Sequence, residues 1–143
     1  MSIPVRRCGA SVSIRLEPPV VSKLGLFDRW PLVLIDLDTE EGIVGRSYLE
    51  PYLERSMRYL VPAIRDFAEV RKSRPIAPLD DFRTGRAGLD LIGLEGVSMI
   101  ALTGLGMATW HALAKAANLP LAASRSRSPP HRALPPQLDR ASQ

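Results

Sequence analysis

Between Pro31 and Tyr48, two β-type runs, Leu32 to Asp38 and Ile43 to Tyr48, flank the short segment Thr39-Glu40-Glu41-Gly42. Val33, Ile35 and Leu37 alternate with Leu34, Asp36 and Asp38, which is strand periodicity, and a glycine closing an acidic turn takes positive φ. The pattern predicts a β-hairpin with a type I turn and a glycine bulge. One face of it is wholly apolar and needs a cover. Upstream, Cys8, Ala10, Val12, Ile14 and Leu16 alternate with Arg7, Gly9, Ser11, Ser13 and Arg15, so Pro4 to Leu16 reads as a further strand with one wet face. Glu17 to Trp30 then reads as a long loop holding Pro18-Pro19 and the apolar set Val20, Val21, Leu24, Leu26, Phe27 and Trp30. A loop of this composition packs on its own sheet or on a ligand or partner surface.

Downstream the period changes. Leu53, Met57, Leu60, Val61, Ile64 and Phe67 recur at helical spacing behind Pro51, which suits the first position of a helix, and Pro62 predicts a kink or a restart. A second short helix is expected from Pro78, with Asp80 and Asp81 in its first turn, where carboxylates oppose the helix dipole; that position accounts for the pair better than metal ligation does. The pattern leaves Gly85 to Gly96 unassigned. Val97 to Ala117 is the longest apolar helical stretch, and Gly104, Ala108, Ala112 and Ala116 form a smooth stripe along it that admits another backbone. Asn118-Leu119-Pro120 ends it.

At 143 residues the chain is one domain, short of the roughly 200 residues that a (β/α)8 barrel needs. The formal charge of +4 is concentrated at the end: Ala122 to Gln143 holds four Arg against one Asp, leaving +1 on the body. With no aromatic residues interleaved among its basic ones, the body is not a nucleic-acid binder. The single cysteine, Cys8, is expected to be a buried small hydrophobe and excludes a disulfide framework. MSIPVRRCGA carries no apolar segment after its arginines, so no secretory signal is read there and the expected location is cytoplasmic. The nineteen residues from Gly96 to Ala114 lack charge, but internal glycines, Ser98, Thr103, Thr109 and His111, and missing interfacial girdles argue against a membrane span. Residues 122–143, rich in Ala, Arg, Ser and Pro, are expected to be disordered.

PLVLIDLDTEEGIVGRSYLEPY together with LTGLGMATWHALAKAANLPL resembles the N-terminal capping domain of the enolase superfamily, in particular its mandelate racemase branch. The resemblance spans about Ile14 to Leu121 and implies an α+β fold, a three-stranded antiparallel β-meander packed against a helical bundle. Full-length members add a barrel that carries Mg2+, a Lys-x-Lys base and a His-Asp pair, and they remove the proton α to a carboxylate. An α-proton is too weakly acidic to leave unless a metal and nearby cations hold the developing dianion. Among the residues here, Lys23, Lys72 and Lys115 form no Lys-x-Lys pair, and no carboxylate set follows Leu121. The resemblance therefore implies no catalytic residue, metal ligand or cofactor within the chain, and no catalysis by it alone. It does imply a substrate lid: Val20, Leu24 and Phe27 match the apolar residues that hold the aromatic ring of mandelate, and Tyr52 matches a pocket-lining tyrosine, with Tyr48 nearby. The implied partner is a small carboxylate, bound only with a barrel, and no nucleic acid or membrane.

Two positions depart from the signature, which reads Asp where this chain has Gly106 and again where it has His111. Gly inside a helix costs about 1 kcal/mol relative to Ala, and a lost acidic group leaves its partner unpaired. His111 alone reads as a structural oddity rather than a ligand, and His131 lies in the tail. The composition change after Leu121 is also what a lost reading frame in a GC-rich gene yields. The alternative reading is a non-catalytic interaction module that presents its apolar loop and helix to a partner, most simply a second copy of itself.

Overall fold

The computed structural model describes residues 5–7, 10–23 and 25–126. Its sheet is organised by β3 (Gly25–Thr39), which pairs with β4 (Val44–Leu49) along one edge and, along the other, successively with β1 (Val5–Arg7) and β2 (Ala10–Ser22), all antiparallel. The sheet is thus three strands wide, as expected. The hairpin turn has the predicted chemistry: Gly42 N–H donates to the Thr39 carbonyl at 3.1 Å, Gly42 has φ 78°, and Ile43 N–H donates to Thr39 Oγ1 at 3.0 Å. The hydroxyl locks the turn from inside.

Glu17 to Trp30 is not a loop. β2 and β3 continue through it as a two-stranded ribbon, with Val20 opposite Phe27, Val21 opposite Leu26 and Ser22 opposite Gly25. The pairing jumps between Arg15 and Val20, so that Leu16 to Pro19 stand opposite Asp28 alone. A proline cannot donate to a ladder, and the bulge takes Pro18-Pro19 out of it. Leu24 and Cys8 lie outside the described residues.

The predicted apolar face is the core. Val33, Ile35 and Leu37 are no more than 1% exposed, and burying each contributes about 1.5–3 kcal/mol. Their cover is α3 (Val97–Ala116), with α1 (Met57–Arg71) beside it. The small-residue stripe has a specific use. A Cβ on Gly45 of β4 would lie 2.3 Å from the Ala108 carbonyl oxygen and 2.9 Å from Ala112 Cβ, and one on Gly104 would lie 2.6 Å from Leu49 Cδ1. Strand and helix backbones are therefore in contact. Although α3 is long and apolar enough to cross a membrane by length and composition, eight of its residues are buried within the domain. It ends in a Schellman motif: Asn118 has φ 51°, Leu119 N–H donates to the Ala114 carbonyl at 2.9 Å and Asn118 N–H to that of Lys115 at 2.9 Å.

Helix α1 begins later than Pro51 suggested. Tyr52, with φ 62°, turns the chain first, and a 3-10 turn at Glu54–Ser56 leads into Met57. Pro62 lies within α1, which continues through it on its exposed side, where water can reach the carbonyl the proline leaves without a donor. As expected, α2 (Pro78–Ala87) starts with Pro78. Asp81 accepts a hydrogen bond from Ala77 N–H at 3.3 Å and an ion pair from Arg71 at 2.7 Å, tying α2 to α1. Burial pushes the Asp81 carboxyl above its ordinary range even though Arg71 pulls it down. Past the expected boundary at Leu121, α4 (Leu121–Ser126) packs on α3; residues 127–143, with His131, lie outside the described residues.

His111 has a structural task. Residues 44 and 46 of β4 turn their backbone polar groups away from β3, as alternate residues of an antiparallel strand do, and α3 meets them with two side chains one turn apart. Arg46 N–H donates to His111 Nδ1 at 2.9 Å, and Lys115 Nζ donates to the Val44 carbonyl at 2.9 Å. On the inner face, Ser47 Oγ donates to the Gly104 carbonyl at 2.7 Å.

Candidate functional site

Where the β2–β3 ribbon leaves the helix layer, it faces the 3-10 turn across an open groove of about 490 Å³. Leu26, Phe27, Asp28 and Arg29 of β3 form one wall, and Tyr52 to Arg55 the other. Each wall has a local cause. Phe27 is half-buried and set edge-on against Trp30, with ring centroids 6.2 Å apart and planes at 72°. Tyr52 is a bulky residue held at positive φ, a conformation that persists only when its surroundings fix it. The surroundings here are polar: Arg29 Nε donates to Glu54 Oε1 at 3.0 Å and to Ser13 Oγ at 3.2 Å, and Ser13 Oγ donates to the same carboxylate oxygen. A single carboxylate thereby joins the turn to both strands.

Those hydrogen bonds, from Ser13 first and then Arg29, hold the Glu54 carboxyl below its ordinary value. A depressed folded-state value means that the stabilisation is present above the ordinary carboxylate range and is lost as pH falls through the folded one. Acidification is therefore expected to release the 3-10 turn from the ribbon. In an NMR pH titration, the amide signals of Ser13, Arg29 and Glu54 should move together with one midpoint below that of an unpaired glutamate; separate midpoints would show that the three do not act as a unit.

The sequence-derived site residues divide. Phe27 and Tyr52, from segments 25 residues apart, line the groove together. Val20 pairs with Phe27 across the ribbon and is half-exposed beside it. Tyr48 does not line the groove; it stands opposite Leu34 on the sheet face turned away from the helices, because positions 45, 47 and 49 take the inner side. Leu24 is outside the described residues. Arg29, Glu54 and Arg55 were not found from sequence: a cation and an anion 25 positions apart give no pattern until the ribbon register is known. Among the described residues, no group of three or more His, Cys, Asp or Glu is placed to hold a metal ion. The groove offers aromatic surface from Phe27 and Tyr52 and a guanidinium held by Glu54.

A family model described as mandelate racemase / muconate lactonizing enzyme, N-terminal domain, matches residues 7–123. Among solved structures, an enolase from the alpha-proteobacterium bal199 with bound Mg is 41% identical, with a TM-score of 0.83, over 90% of this chain and 36% of its own. An enolase from Bradyrhizobium complexed with magnesium and mandelic acid is 28% identical, with a TM-score of 0.81, over 88% of this chain and 35% of its own. L-talarate/galactarate dehydratase from Salmonella typhimurium, 18% identical with a TM-score of 0.68 over 85% of this chain and 32% of its own, shares the fold. The chain thus spans about a third of the length of the structures it matches.

Proposed function

The chain belongs to the mandelate racemase/muconate lactonizing enzyme family, whose N-terminal domain it represents, and on that premise we propose that it is the lid and specificity element of an enzyme that removes the proton α to the carboxylate of a small aromatic hydroxy acid. The observation that carries the reading is the convergence of Phe27 and Tyr52 on one groove at the end of the sheet. Aromatic walls recognise an aryl substituent, and Val20 beside Phe27 extends that surface. The Arg29–Glu54–Ser13 network fixes the turn that presents Tyr52, so the lid is ordered before substrate arrives.

In the related Bradyrhizobium enolase the bound groups are magnesium and mandelic acid. Where bound, magnesium would supply stabilisation of the negative charge that builds as an α-proton leaves. The described residues offer no carboxylate set for it. The part assigned to this chain is to bind the aryl end, orient it and keep water out.

With Mg2+ and either enantiomer of mandelate, the chain alone is expected to give no racemisation, and turnover by it would overturn the proposal. Joined to the barrel portion of the Bradyrhizobium protein, it should support exchange of the α-proton with deuterated solvent. In that chimera Phe27→Ala or Tyr52→Ala should raise KM for mandelate about tenfold, equivalent to about 1.4 kcal/mol of lost apolar contact, with a smaller effect on kcat. Unchanged KM in both variants would remove these residues from the site.

A further inference from the structure

The sheet has a second apolar face, and among the described residues no helix covers it. From Trp30 to Ile35, β3 reads WPLVLI, apolar at every position, which is the composition of a strand buried on both sides. Only one side is buried by the chain itself. Pro31, Val33 and Ile35 are enclosed on the helix side, while the alternate residues Trp30, Leu32 and Leu34 point outward. The register adds Ile14, opposite Trp30, and Tyr48, opposite Leu34. Leu34, Ile14 and Tyr48 are 42%, 46% and 58% exposed. Apolar side chains gathered into one patch, rather than scattered, mark a surface that another layer covers.

The charges at the end of the patch identify that layer. On the same face, one rung beyond Leu34 and Tyr48, Asp36 stands opposite Arg46, with Arg46 Nε 3.3 Å from Asp36 Oδ1 and both side chains more than half exposed. Asp38 and Val44, both half-buried, form the next rung. Opposite signs side by side make the patch complementary to itself. A half-turn about an axis that runs between β3 and β4, parallel to both, sets Asp36 against the partner's Arg46 and Leu34 against the partner's Tyr48. A half-turn centred on β3 would instead set Asp36 against its own copy. The first axis also keeps the strands of the two sheets aligned, as in sheets that pack face to face at about 10 Å.

We propose that the outer face of the sheet is the interface of a two-fold homodimer, in which β3 of each copy stacks over β4 of the other. The interface uses neither Phe27 nor Tyr52 and does not rest on the lid function.

Sedimentation of the full chain over a concentration series should approach twice the mass of one chain. Asp36→Lys makes the charged rung positive in both copies and Arg46→Glu makes it negative; each is expected to raise the dissociation constant about a hundredfold, because like charges then meet across the interface. An equimolar mixture of the two variants sets a positive rung against a negative one and should restore the dimer. A monomer at every concentration would leave the face to solvent or to a different protein. Dimers indifferent to both substitutions would form through another surface, and a mixture that stays monomeric would show that the two charges do not meet. Each of these results overturns the proposal. Should either variant fail to fold, the three tyrosines of the unmodified chain decide. Tyr48, Tyr52 and Tyr59 are 58%, 63% and 60% exposed, and of these only Tyr48 stands on the outer face of the sheet. Hydroxyl-radical labelling of Tyr48 should slow several-fold relative to the other two as concentration rises; equal labelling throughout would overturn the dimer.

Discussion

Gly45→Ala is expected to destabilise the domain by about 3 kcal/mol, far more than one added methyl group suggests. The new Cβ would sit 2.3 Å from the Ala108 carbonyl oxygen and 2.9 Å from Ala112 Cβ, so the obstacle is largely helix backbone and cannot rotate aside. Either β4 bends or α3 lifts, and both movements open the contact that covers Ile35 and Leu37. Urea denaturation followed by tryptophan fluorescence should show a lower midpoint with little change in slope. Gly106→Ala supplies the contrast on the same helix: its Cβ meets nothing within 4 Å, so the substitution should stabilise by up to about 1 kcal/mol through helix propensity. If the two substitutions behave alike, close approach of strand and helix is not what requires glycine at position 45.

Removing the carboxylate paired with Arg71 is the second large effect. Asp81→Asn leaves a buried guanidinium without its counter-charge, and a loss of about 3 kcal/mol is expected. The pair itself contributes little net stability, because desolvation of Asp81, which pushes its carboxyl upward, opposes the attraction across 2.7 Å. The double substitution Arg71→Met with Asp81→Leu should therefore recover most of what Asp81→Asn loses. Chemical denaturation of these two variants and of the single substitutions Arg71→Met and Asp81→Leu gives the comparison. Additive losses would show that Arg71 and Asp81 act separately. The same variants probe how α2 is attached, since its residues contribute little else to the core besides Pro78 and Leu89 nearby.

The features legible in the sequence are those whose causes are local. The 39–42 turn carries its own instructions in Thr39 and Gly42, and the alternation around Ile35 assigns one face to the core whatever covers it. The stripe from Gly104 to Ala116 announced a close neighbour, though not that the neighbour is a strand. What sequence reasoning missed depends on register or on distant partners. Pro18-Pro19 hid the ribbon because a pairing shift between Arg15 and Val20 breaks the alternation, and with the ribbon went the Arg29–Glu54 contact. His111 looked out of place because the backbone it serves is 65 positions away in the chain. Pro51 suggested a helix start, yet the left-handed Tyr52 delays it, and this delay brings the Tyr52 side of the turn to the groove. Phe27 and Tyr52 were reached only through resemblance, since neither spacing nor periodicity marks an aromatic residue as a wall of a site.

The side chains of His111 and Lys115 against β4 bear on how copies of this domain behave when crowded. An exposed strand flank is a template on which another chain can polymerise. Here a newcomer would first have to evict an imidazole from the Arg46 amide and an ammonium from the Val44 carbonyl. Growth of a fibril by docking onto that flank is stoppered by two residues of a helix whose other side is locked into the core.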